Sequence, residues 1–224
     1  MNLGIITIVY GGYGKFIPRW CKAIAKLTEK PKQVTIIACG PDHGLNVNSL
    51  KDLVDIAEVK VNYVKELKTM GAARNIAIEN TPTDWILYFS ADDILLPNAV
   101  TELKKYQKSD VIAMRYIELN SLEVKYHETP LMEEEKIQNW LECYKQAGYV
   151  AYRRKIWEDT PYIDDEYPNF PFLFQIYRKG AKFVETENEC ALYLKRNDSH
   201  SQTCNKERFD RAVKTINYYA EKLR

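Results

Sequence analysis

The sequence predicts an α/β protein with a mainly parallel sheet that carries helices on both faces. In the first half of the chain, short apolar runs rich in β-branched residues alternate with segments long enough to form helices. Strands separated by helices are joined by crossover connections, which make the strands parallel and cover both faces of the sheet. Ligands of such sheets bind at the carboxyl ends of the strands, so we expect the functional residues there.

The elements of the first half follow from two periodicities. Strands are predicted where a short apolar run ends in turn residues, as at Gly40-Pro41, and helices where apolar residues recur every three or four positions. Pro97 suits the first turn of a helix. The predicted strands are residues 3–10, 33–39, 58–64, 85–89 and 111–117. The predicted helices are residues 16–27, 50–57, 71–80 and a helix that begins at Pro97.

The second half of the chain is less regular. The clearest pattern is the last one, because its apolar residues follow the i, i+3, i+4, i+7 spacing of an amphipathic helix. We find no internal repeat and no linker-like segment, so the sequence predicts a single domain over residues 1–224. The expected elements of this half are a hairpin strand over 119–125 and helices over 132–146, 170–179 and 206–224.

Composition narrows the class of function. With 224 residues, 46% of them apolar, the chain can bury a substantial core. Its 32 basic and 31 acidic residues nearly balance, which does not favour binding to a nucleic-acid backbone. The five cysteines form no CxxC pair, so we expect them to be reduced and structural. The amino terminus has no basic leader and no segment approaches the ~20 apolar residues of a membrane span, which predicts a cytoplasmic protein.

The strand predicted at 85–89 is followed closely by Asp92 and Asp93. A buried strand ordinarily ends in turn residues, so adjacent carboxylates at its carboxyl end indicate a place where negative charge is used. Holding a divalent cation is one such use, because hard cations prefer oxygen ligands. After the first strand, the segment Gly11-Gly12-Tyr13-Gly14 matches neither GxGxxG nor a Walker motif, so a tight turn is favoured over a phosphate loop.

Four segments occur in an order and spacing that resemble one known family. They are a strand ending at Tyr10, a strand ending near Gly40, the segment Gly71-Ala72-Ala73-Arg74-Asn75, and Ser90-Ala91-Asp92-Asp93 followed by Leu96-Pro97. This arrangement resembles the family-two glycosyltransferases of the GT-A fold, strongly over residues 3–100 and more weakly beyond. The resemblance implies a Rossmann-like nucleotide-sugar-binding half over residues 1–117 and an acceptor-side half, including the C-terminal helix, over residues 118–224.

The resemblance also implies an activity. Members transfer a sugar from a nucleotide diphosphate donor with inversion, and they use a DxD motif with Mn²⁺ or Mg²⁺. For this chain the implied enzyme is a metal-dependent hexosyltransferase with a UDP-sugar donor. The acceptor hydroxyl can belong to a saccharide, a protein, a small molecule or a modified nucleic-acid base, and the oligomeric state is open.

Site residues are carried over from the motifs of the family. Tyr10 occupies the position of the aromatic residue that stacks on the base, and Arg74 that of a basic residue near the nucleotide. Asp92 occupies the metal-binding position of the DxD motif. Ser90 replaces the first aspartate of that motif, so its contact to the donor would be through a neutral hydroxyl. The segment from Arg196 to His200 lies where the family often has an arginine followed by a histidine that reaches the metal or the diphosphate. Asp92 and His200 are therefore the implied metal ligands, with Asp198 as an alternative to His200. Asp93 is a second ligand or a helix-capping acid.

Two further positions depart from the family pattern. The second strand ends in Cys39 and Gly40, where members of the family commonly have aspartates that bind the nucleotide base. Asp42 is the candidate to replace those aspartates. The Glu-Asp pair that often supplies the catalytic base is replaced by Pro168-Asn169. A base must reach the acceptor hydroxyl, and our candidate is Asp165. The alternative is that Asp165 belongs to a solvated acidic loop together with Glu158, Asp159, Asp164 and Glu166.

These departures keep two other function classes open. Ser90 and Pro168-Asn169 also fit a non-catalytic protein that binds nucleotide sugars. A nucleotidyltransferase on a similar sheet is less favoured, because the Gly-rich signature with a following Arg and Lys is absent after the first strand.

Overall fold

A computed structural model describes residues 1–119, 124–127 and 149–196, together with Lys214, Tyr218 and Glu221. The strands of these residues are β1 Leu3–Val9, β2 Gln33–Cys39, β3 Glu58–Val64, β4 Trp85–Tyr88, β5 Ile94–Leu95, β6 Val111–Leu119, β7 Val124–His127, β8 Val150–Arg153 and β9 Phe183–Leu194. The α-helices are α1 Ile17–Ala25, α2 Met70–Glu79, α3 Ala99–Lys105, α4 Arg154–Asp159 and α5 Asn169–Arg178. Two 3₁₀ helices cover Tyr13–Phe16 and Val47–Asp52.

The strands of the described residues form one nine-stranded sheet. Its order is β3-β2-β1-β4-β8-β6-β9-β5, and β7 pairs with β6. The strands β3, β2, β1 and β4 are parallel, as the crossover connections of the first half require. In the other part, β8 runs antiparallel to β4 and β6, whereas β6 and β9 are parallel. The predicted mainly parallel α/β sheet is confirmed.

The sheet is covered on both faces because successive side chains of a strand point to opposite sides. In β1, Ile5 belongs to the core on the face of α1 and α3, and the next residue, Ile6, belongs to the core on the face of α2 and α5. The same alternation holds in β4, where Leu87 and Ile86 belong to the two different cores. Helices on both faces are therefore also confirmed.

The second half contributes two strands that the sequence pattern did not predict. β8 has only four residues, which is too short to show a periodicity. β9 contains a register irregularity against β6 and carries several acidic residues, and both features obscure the alternation of apolar side chains. β8 lies between β4 and β6, so the two predicted halves share one sheet. The division at residue 117 stays a prediction.

Some element boundaries differ from those predicted. The short helix expected at 50–57 is instead a 3₁₀ helix at Val47–Asp52, because the Asn46 side chain accepts the Asn48 amide hydrogen and starts the turn earlier. The helix expected from Pro97 begins at Ala99. β6 and β7 pair antiparallel, as expected of the hairpin, with Leu119 opposite Val124.

Several predictions fall outside the described residues. These are the helix at 132–146, the turn of the hairpin, His200, Asp198 and most of the helix at 206–224. Lys214, Tyr218 and Glu221 are helical and exposed, which is what the polar face of that last helix requires. Among the helices that the structure describes, none has the length and apolarity needed to cross a bilayer. The cytoplasmic location stays a prediction.

Candidate active site

The carboxyl ends of the neighbouring parallel strands β2, β1 and β4 meet at one edge of the sheet. Tyr10 follows β1, Cys39 ends β2, and Asp92 lies in the turn after β4. The structure therefore brings three of the sequence-predicted site residues, Tyr10, Ser90 and Asp92, to the same edge. This is the position at which parallel sheets bind ligands.

Asp92 is held by contacts to each of its carboxylate oxygens. The Ser90 hydroxyl donates a hydrogen bond to Oδ1, and Arg196 Nη2 lies 2.8 Å from Oδ2. The Asp92 side chain is only 8% exposed and that of Arg196 20% exposed, so this ion pair is partly shielded from water. In addition, Arg19 donates to the backbone carbonyl of Asp92 at 2.5 Å. Two arginines thus surround the turn that carries Asp92.

Asp93 points away from this edge, into the protein. Its carboxylate accepts hydrogen bonds from the Tyr149 hydroxyl at 2.6 Å and from the Leu194 amide at 2.9 Å. Burial, followed by the nearby charge of Asp92, raises the pKa of Asp93 to about 7, against the opposing effect of these hydrogen bonds. Asp93 therefore ties the turn to β9, and it does not cap a helix.

Arg196 is oriented by aromatic rings. Its guanidinium carbon lies 4.0 Å from the ring centre of Phe16 and 5.8 Å from that of Tyr13. A guanidinium that stacks on an aromatic ring can still bind a carboxylate, because its N–H groups lie in the guanidinium plane and point away from the ring. Phe16 and Tyr13 belong to the 3₁₀ helix after β1, so the loop after the first strand positions an arginine that follows the last strand.

Arg74 occupies a buried aromatic box. It is 4% exposed, and its guanidinium carbon lies 3.7 Å from the ring centre of Tyr88 and 5.2 Å from that of Tyr162. One terminal nitrogen donates to the Asn169 side-chain oxygen, while Nε has no hydrogen-bond partner among the described residues. Arg74 is therefore a buried positive charge beneath the edge, not a surface group, and its neighbour Asn169 is one of the residues that replace the acidic pair.

The start of α2 anchors the loop that contains the candidate base. Thr69 caps the helix through its hydroxyl, which accepts the Ala72 amide hydrogen. The Gly71 amide donates to the Asp165 carbonyl at 2.9 Å, and a Cβ on Gly71 would lie 1.8 Å from the Ile163 carbonyl oxygen. Glycine is thus required for the loop to approach the helix so closely.

Asn75 fastens the same loop, a role that sequence reasoning missed. Its amide group donates to the Tyr162 carbonyl at 2.9 Å and accepts from the Tyr162 amide at 3.1 Å and the Trp157 indole at 2.8 Å. The signal in the sequence is its position next to Arg74. Two adjacent residues on a helix face different directions, so one binds the loop backbone and the other enters the aromatic box.

The acids of this loop have different environments. Asp164 is exposed and accepts a hydrogen bond from Thr69. Asp165 is partly buried, and its Oδ1 accepts the Tyr167 amide hydrogen at 3.0 Å. Glu166 lines the cleft beside Tyr10. The loop is therefore ordered by specific contacts, which argues against the purely solvated alternative. Glu158 and Asp159, expected in the same loop, instead end the helix α4.

A small cleft adjoins the ring of Tyr10. Tyr10 stacks on Tyr13 with ring centres 5.1 Å apart, and its pKa is raised, first by burial and then by neighbouring phenolic and acidic groups. Asp42 is exposed and does not line the cleft. The cleft is lined by Ile8, Tyr10, Cys39, Leu67, Lys68, Met70, Ala73 and Glu166. The charged residues that line it are Lys68 and Glu166. The polar groups available to bind a nucleotide base therefore differ from the aspartates at the end of the second strand that are common in the family.

The glycine-rich segment after β1 is a turn. Gly11 and Gly12 have positive φ angles, and the amides of Gly12 and Gly14 donate to the carbonyls of Asp42 and His43 at 2.6 and 2.8 Å. These amides are already used, so they are not free for a phosphate. The structure supports the tight-turn interpretation.

The residues at this edge fit a divalent cation that is shared with a substrate. In the part of the chain that the structure describes, no three His, Cys, Asp or Glu side chains are placed so that they could hold a metal ion together. Mg²⁺-type sites that serve nucleotides commonly use one or two carboxylates, with phosphate oxygens and waters as the other ligands. Asp92, with the Ser90 hydroxyl beside it, fits that donor set, whereas it would not make a closed all-protein site.

The fold and the edge define a class of protein with known members. S. aureus TarS 1-349 in complex with UDP-GlcNAc matches 98% of this chain with a TM-score of 0.77 and 16% sequence identity. The mannosyltransferase PcManGT from Pyrobaculum calidifontis, in complex with GDP-Man and Mn²⁺, matches 95% with a TM-score of 0.67 and 11% identity. These likenesses show that the fold is that of the GT-A glycosyltransferases.

The family follows from the sequence itself. Residues 5–161 match the model of glycosyl transferase family 2, and the chain belongs to this family. No curated protein matches the chain. The chain spans 66% of the TarS 1-349 chain, 64% of the PcManGT chain and 39% of a longer TarS chain, which is less than two thirds of each.

Proposed function

We propose that this chain transfers a hexose from a UDP-sugar to an acceptor hydroxyl, with inversion at the anomeric carbon and with the help of Mn²⁺ or Mg²⁺. The observation that carries the proposal is the meeting of Asp92 and the cleft beside Tyr10 at one edge of a glycosyltransferase sheet. The family and fold support transfer of a sugar. The TarS and PcManGT structures hold UDP-GlcNAc and GDP-Man, so the choice of UDP over GDP is part of the proposal.

Each site residue has a role that its surroundings support. Tyr10, with its ring on the cleft, stacks on the nucleotide base. Asp92 is the protein ligand of the cation, and the Ser90 hydroxyl orients its carboxylate and faces the donor. His200, outside the described residues, is the second proposed ligand. The bound cation would supply positive charge that stabilises the departing diphosphate.

Arg74 acts on the donor through its charge. It is buried, and no carboxylate pairs with it among the residues that the structure describes. A buried cation is poorly screened, so it favours an anionic ligand at the neighbouring edge. We therefore propose that Arg74 raises donor affinity from beneath the site.

Asp165 is the proposed general base. The acceptor oxygen attacks the anomeric carbon from the face opposite the diphosphate, and the base removes the hydroxyl proton. The hydrogen bonds from Gly71 and Tyr167 fix the backbone and carboxylate of Asp165, which suits a group that must be held in place. Glu166 faces the cleft of the donor, so we assign it to donor binding.

Paired variants test the assignment of the base. Asp165→Asn should lower kcat at least ~100-fold with little change in donor affinity, and Glu166→Gln should mainly weaken donor binding. Asp164→Asn, at the exposed neighbour, is the control and should change neither. If Glu166→Gln loses kcat while Asp165→Asn keeps it, the role of general base belongs to Glu166 and not to Asp165.

A non-catalytic nucleotide-sugar binder is the second candidate, and the neutral Ser90 and Asn169 are the observations that favour it. Incubation of the protein with UDP-GlcNAc, other UDP-sugars and GDP-Man in the presence of Mn²⁺ separates the two. Release of nucleoside diphosphate, alone or with an acceptor, supports the transferase. Binding of these donors with no release under any condition would establish the binder.

A further inference from the structure

The ion pair between Asp92 and Arg196 lies at the position that a cation would need. Arg196 Nη2 is 2.8 Å from Asp92 Oδ2, and the Ser90 hydroxyl holds Oδ1. A cation that binds Asp92 at the lone pair of Oδ2 facing Arg196 displaces the guanidinium, and at the other lone pair it is repelled by that nearby positive charge. Binding of a cation alone therefore costs the free energy of the ion pair.

Neighbouring side chains hold the two members of this ion pair in position. Phe16 holds the guanidinium of Arg196 from a different part of the chain, at 4.0 Å from its ring centre. The arginine side chain is 20% exposed and the aspartate 8%, so water screens the pair less than it screens an exposed one. Arg19 supplies a second guanidinium, but it contacts the Asp92 backbone carbonyl and not the carboxylate.

We infer that Arg196, positioned by Phe16, competes with the cation for Asp92 and thereby makes cation binding depend on the nucleotide diphosphate. This inference rests on the proposed function and deepens it. A diphosphate offers the guanidinium an alternative anionic partner, so its arrival releases the Asp92 carboxylate for the cation. Arg196 is a positioning residue that couples the two ligands, and the coupling is reciprocal.

Direct binding of Mn²⁺ tests the inference without an activity assay. The affinity of the protein for Mn²⁺ is measured by electron paramagnetic resonance of the free ion, without nucleotide and with saturating UDP or GDP. In the wild type, nucleotide should tighten Mn²⁺ binding by roughly tenfold or more. Arg196→Met should tighten Mn²⁺ binding without nucleotide by roughly fivefold and reduce the effect of the nucleotide.

Two further variants separate competition from a general effect of charge. Phe16→Leu keeps every charge but removes the stacking, so it should tighten Mn²⁺ binding without nucleotide by about twofold to fivefold. Arg19→Met removes a charge at the same turn without touching the carboxylate, so its effect should be clearly smaller than that of Arg196→Met. Melting curves verify that each variant is folded.

The outcomes distinguish this inference from the proposed function. If Mn²⁺ binds with nucleotide but Arg196→Met and Phe16→Leu behave as the wild type, competition by Arg196 is refuted and the proposed cation stands. An equal effect of Arg19→Met and Arg196→Met would also refute it, in favour of simple charge repulsion. Failure of Mn²⁺ to bind in any variant, with or without nucleotide, would overturn the assignment of the cation and the inference together.

Discussion

Two adjacent aspartates after β4 have opposite environments. Asp92 faces the edge of the sheet and pairs with Arg196, whereas Asp93 is buried against Tyr149 and the Leu194 amide. The carboxylate of Asp92 therefore lies where we propose that the cation binds, and that of Asp93 holds the turn to β9. Predictions at this scale can be made for each residue separately.

Asp92→Asn should abolish most metal-dependent turnover. The amide keeps the shape of the side chain but is a poor ligand for a hard cation, so the loss should be at least ~100-fold in kcat with the fold retained. The measurement is release of nucleoside diphosphate with Mn²⁺, together with a melting curve. The matched control is Asp84→Asn, because Asp84 precedes the other end of β4. Full activity of Asp92→Asn would refute the role of Asp92 as a ligand of the cation.

The raised pKa of Asp93 predicts that the stability of the protein depends on pH. The Asp93 pKa of about 7 in the folded state lies above the ordinary aspartate value of 3.8, so the folded state binds the proton more tightly than the unfolded state does. Stability from this group is therefore complete below about pH 4 and is lost as the pH rises through 7. The free energy of unfolding should fall by up to about 1.4 kcal/mol per pH unit in that window.

Asp93→Asn should remove this contribution. Denaturant unfolding at several pH values from 4 to 8 gives the difference between variant and wild type. The difference should change with pH for Asp93→Asn and stay constant for Glu79→Gln, an exposed acid on α2. A pH-independent difference for Asp93→Asn would contradict the raised pKa.

At the scale of elements, the contact between α2 and the loop at 162–166 couples the two halves of the chain. Gly71 lets the loop backbone approach the helix, and Asn75 binds the loop at Tyr162. The helix also carries Arg74 into the aromatic box that Tyr88 and Tyr162 form. One helix therefore positions both the buried charge of Arg74 beneath the proposed donor site and the loop with the acids.

Gly71→Ala should destabilise the protein and also impair function. The added Cβ meets the Ile163 carbonyl oxygen, and moving that backbone should cost about 1–3 kcal/mol. Because the displaced loop carries Asp165 and Glu166, kcat and donor affinity should fall as well. Chemical unfolding and transfer assays measure the two effects.

Gly180→Ala is the control for Gly71→Ala. Gly180 has a φ of 84° and open space around it, so alanine there introduces backbone strain of about 1–2 kcal/mol without moving the loop. It should lower stability with activity unchanged. Normal activity in Gly71→Ala would mean that the loop does not have to approach α2 for function.

At the scale of the whole molecule, a single sheet carries both the proposed donor edge and the strands of the second half. β8 lies between β4 and β6, and Leu194 at the end of β9 holds Asp93. Residues far apart in the chain, such as Arg19, Asp92 and Arg196, therefore meet at one turn. A ligand at this edge would contact groups from both halves, so it should stabilise the entire fold.

Thermal unfolding should report this linkage. UDP with Mn²⁺ at about a hundred times its dissociation constant should add about 2.7 kcal/mol of stability, which is a rise in Tm of roughly 5–10 °C for a protein of this size. Chelation of the metal or Asp92→Asn should reduce the shift. A larger rise in Tm with GDP than with UDP would contradict the proposed preference for a UDP-sugar donor. A rise in Tm that chelation leaves unchanged would contradict the use of a cation.

The sequence by itself determined the parallel strands, the helices on both faces and the edge at which Tyr10, Ser90 and Asp92 meet. These features follow from local periodicity and from the geometry of crossover connections, which neighbouring residues in the chain encode. It also identified Arg74 through the segment Gly71-Ala72-Ala73-Arg74-Asn75, but not what Arg74 contacts, and it assigned no role to Asn75.

Only the tertiary structure decided the partners across long separations in the chain. The pairing of Asp92 with Arg196, the burial of Asp93 and the box around Arg74 depend on β8, β9 and the loop at 162–166. These segments carry weak periodic signals, because β8 is short, β9 is irregular and the loop is ordered by side-chain contacts. A contact between residues about a hundred positions apart is fixed by the packing of the whole sheet, which no local pattern records.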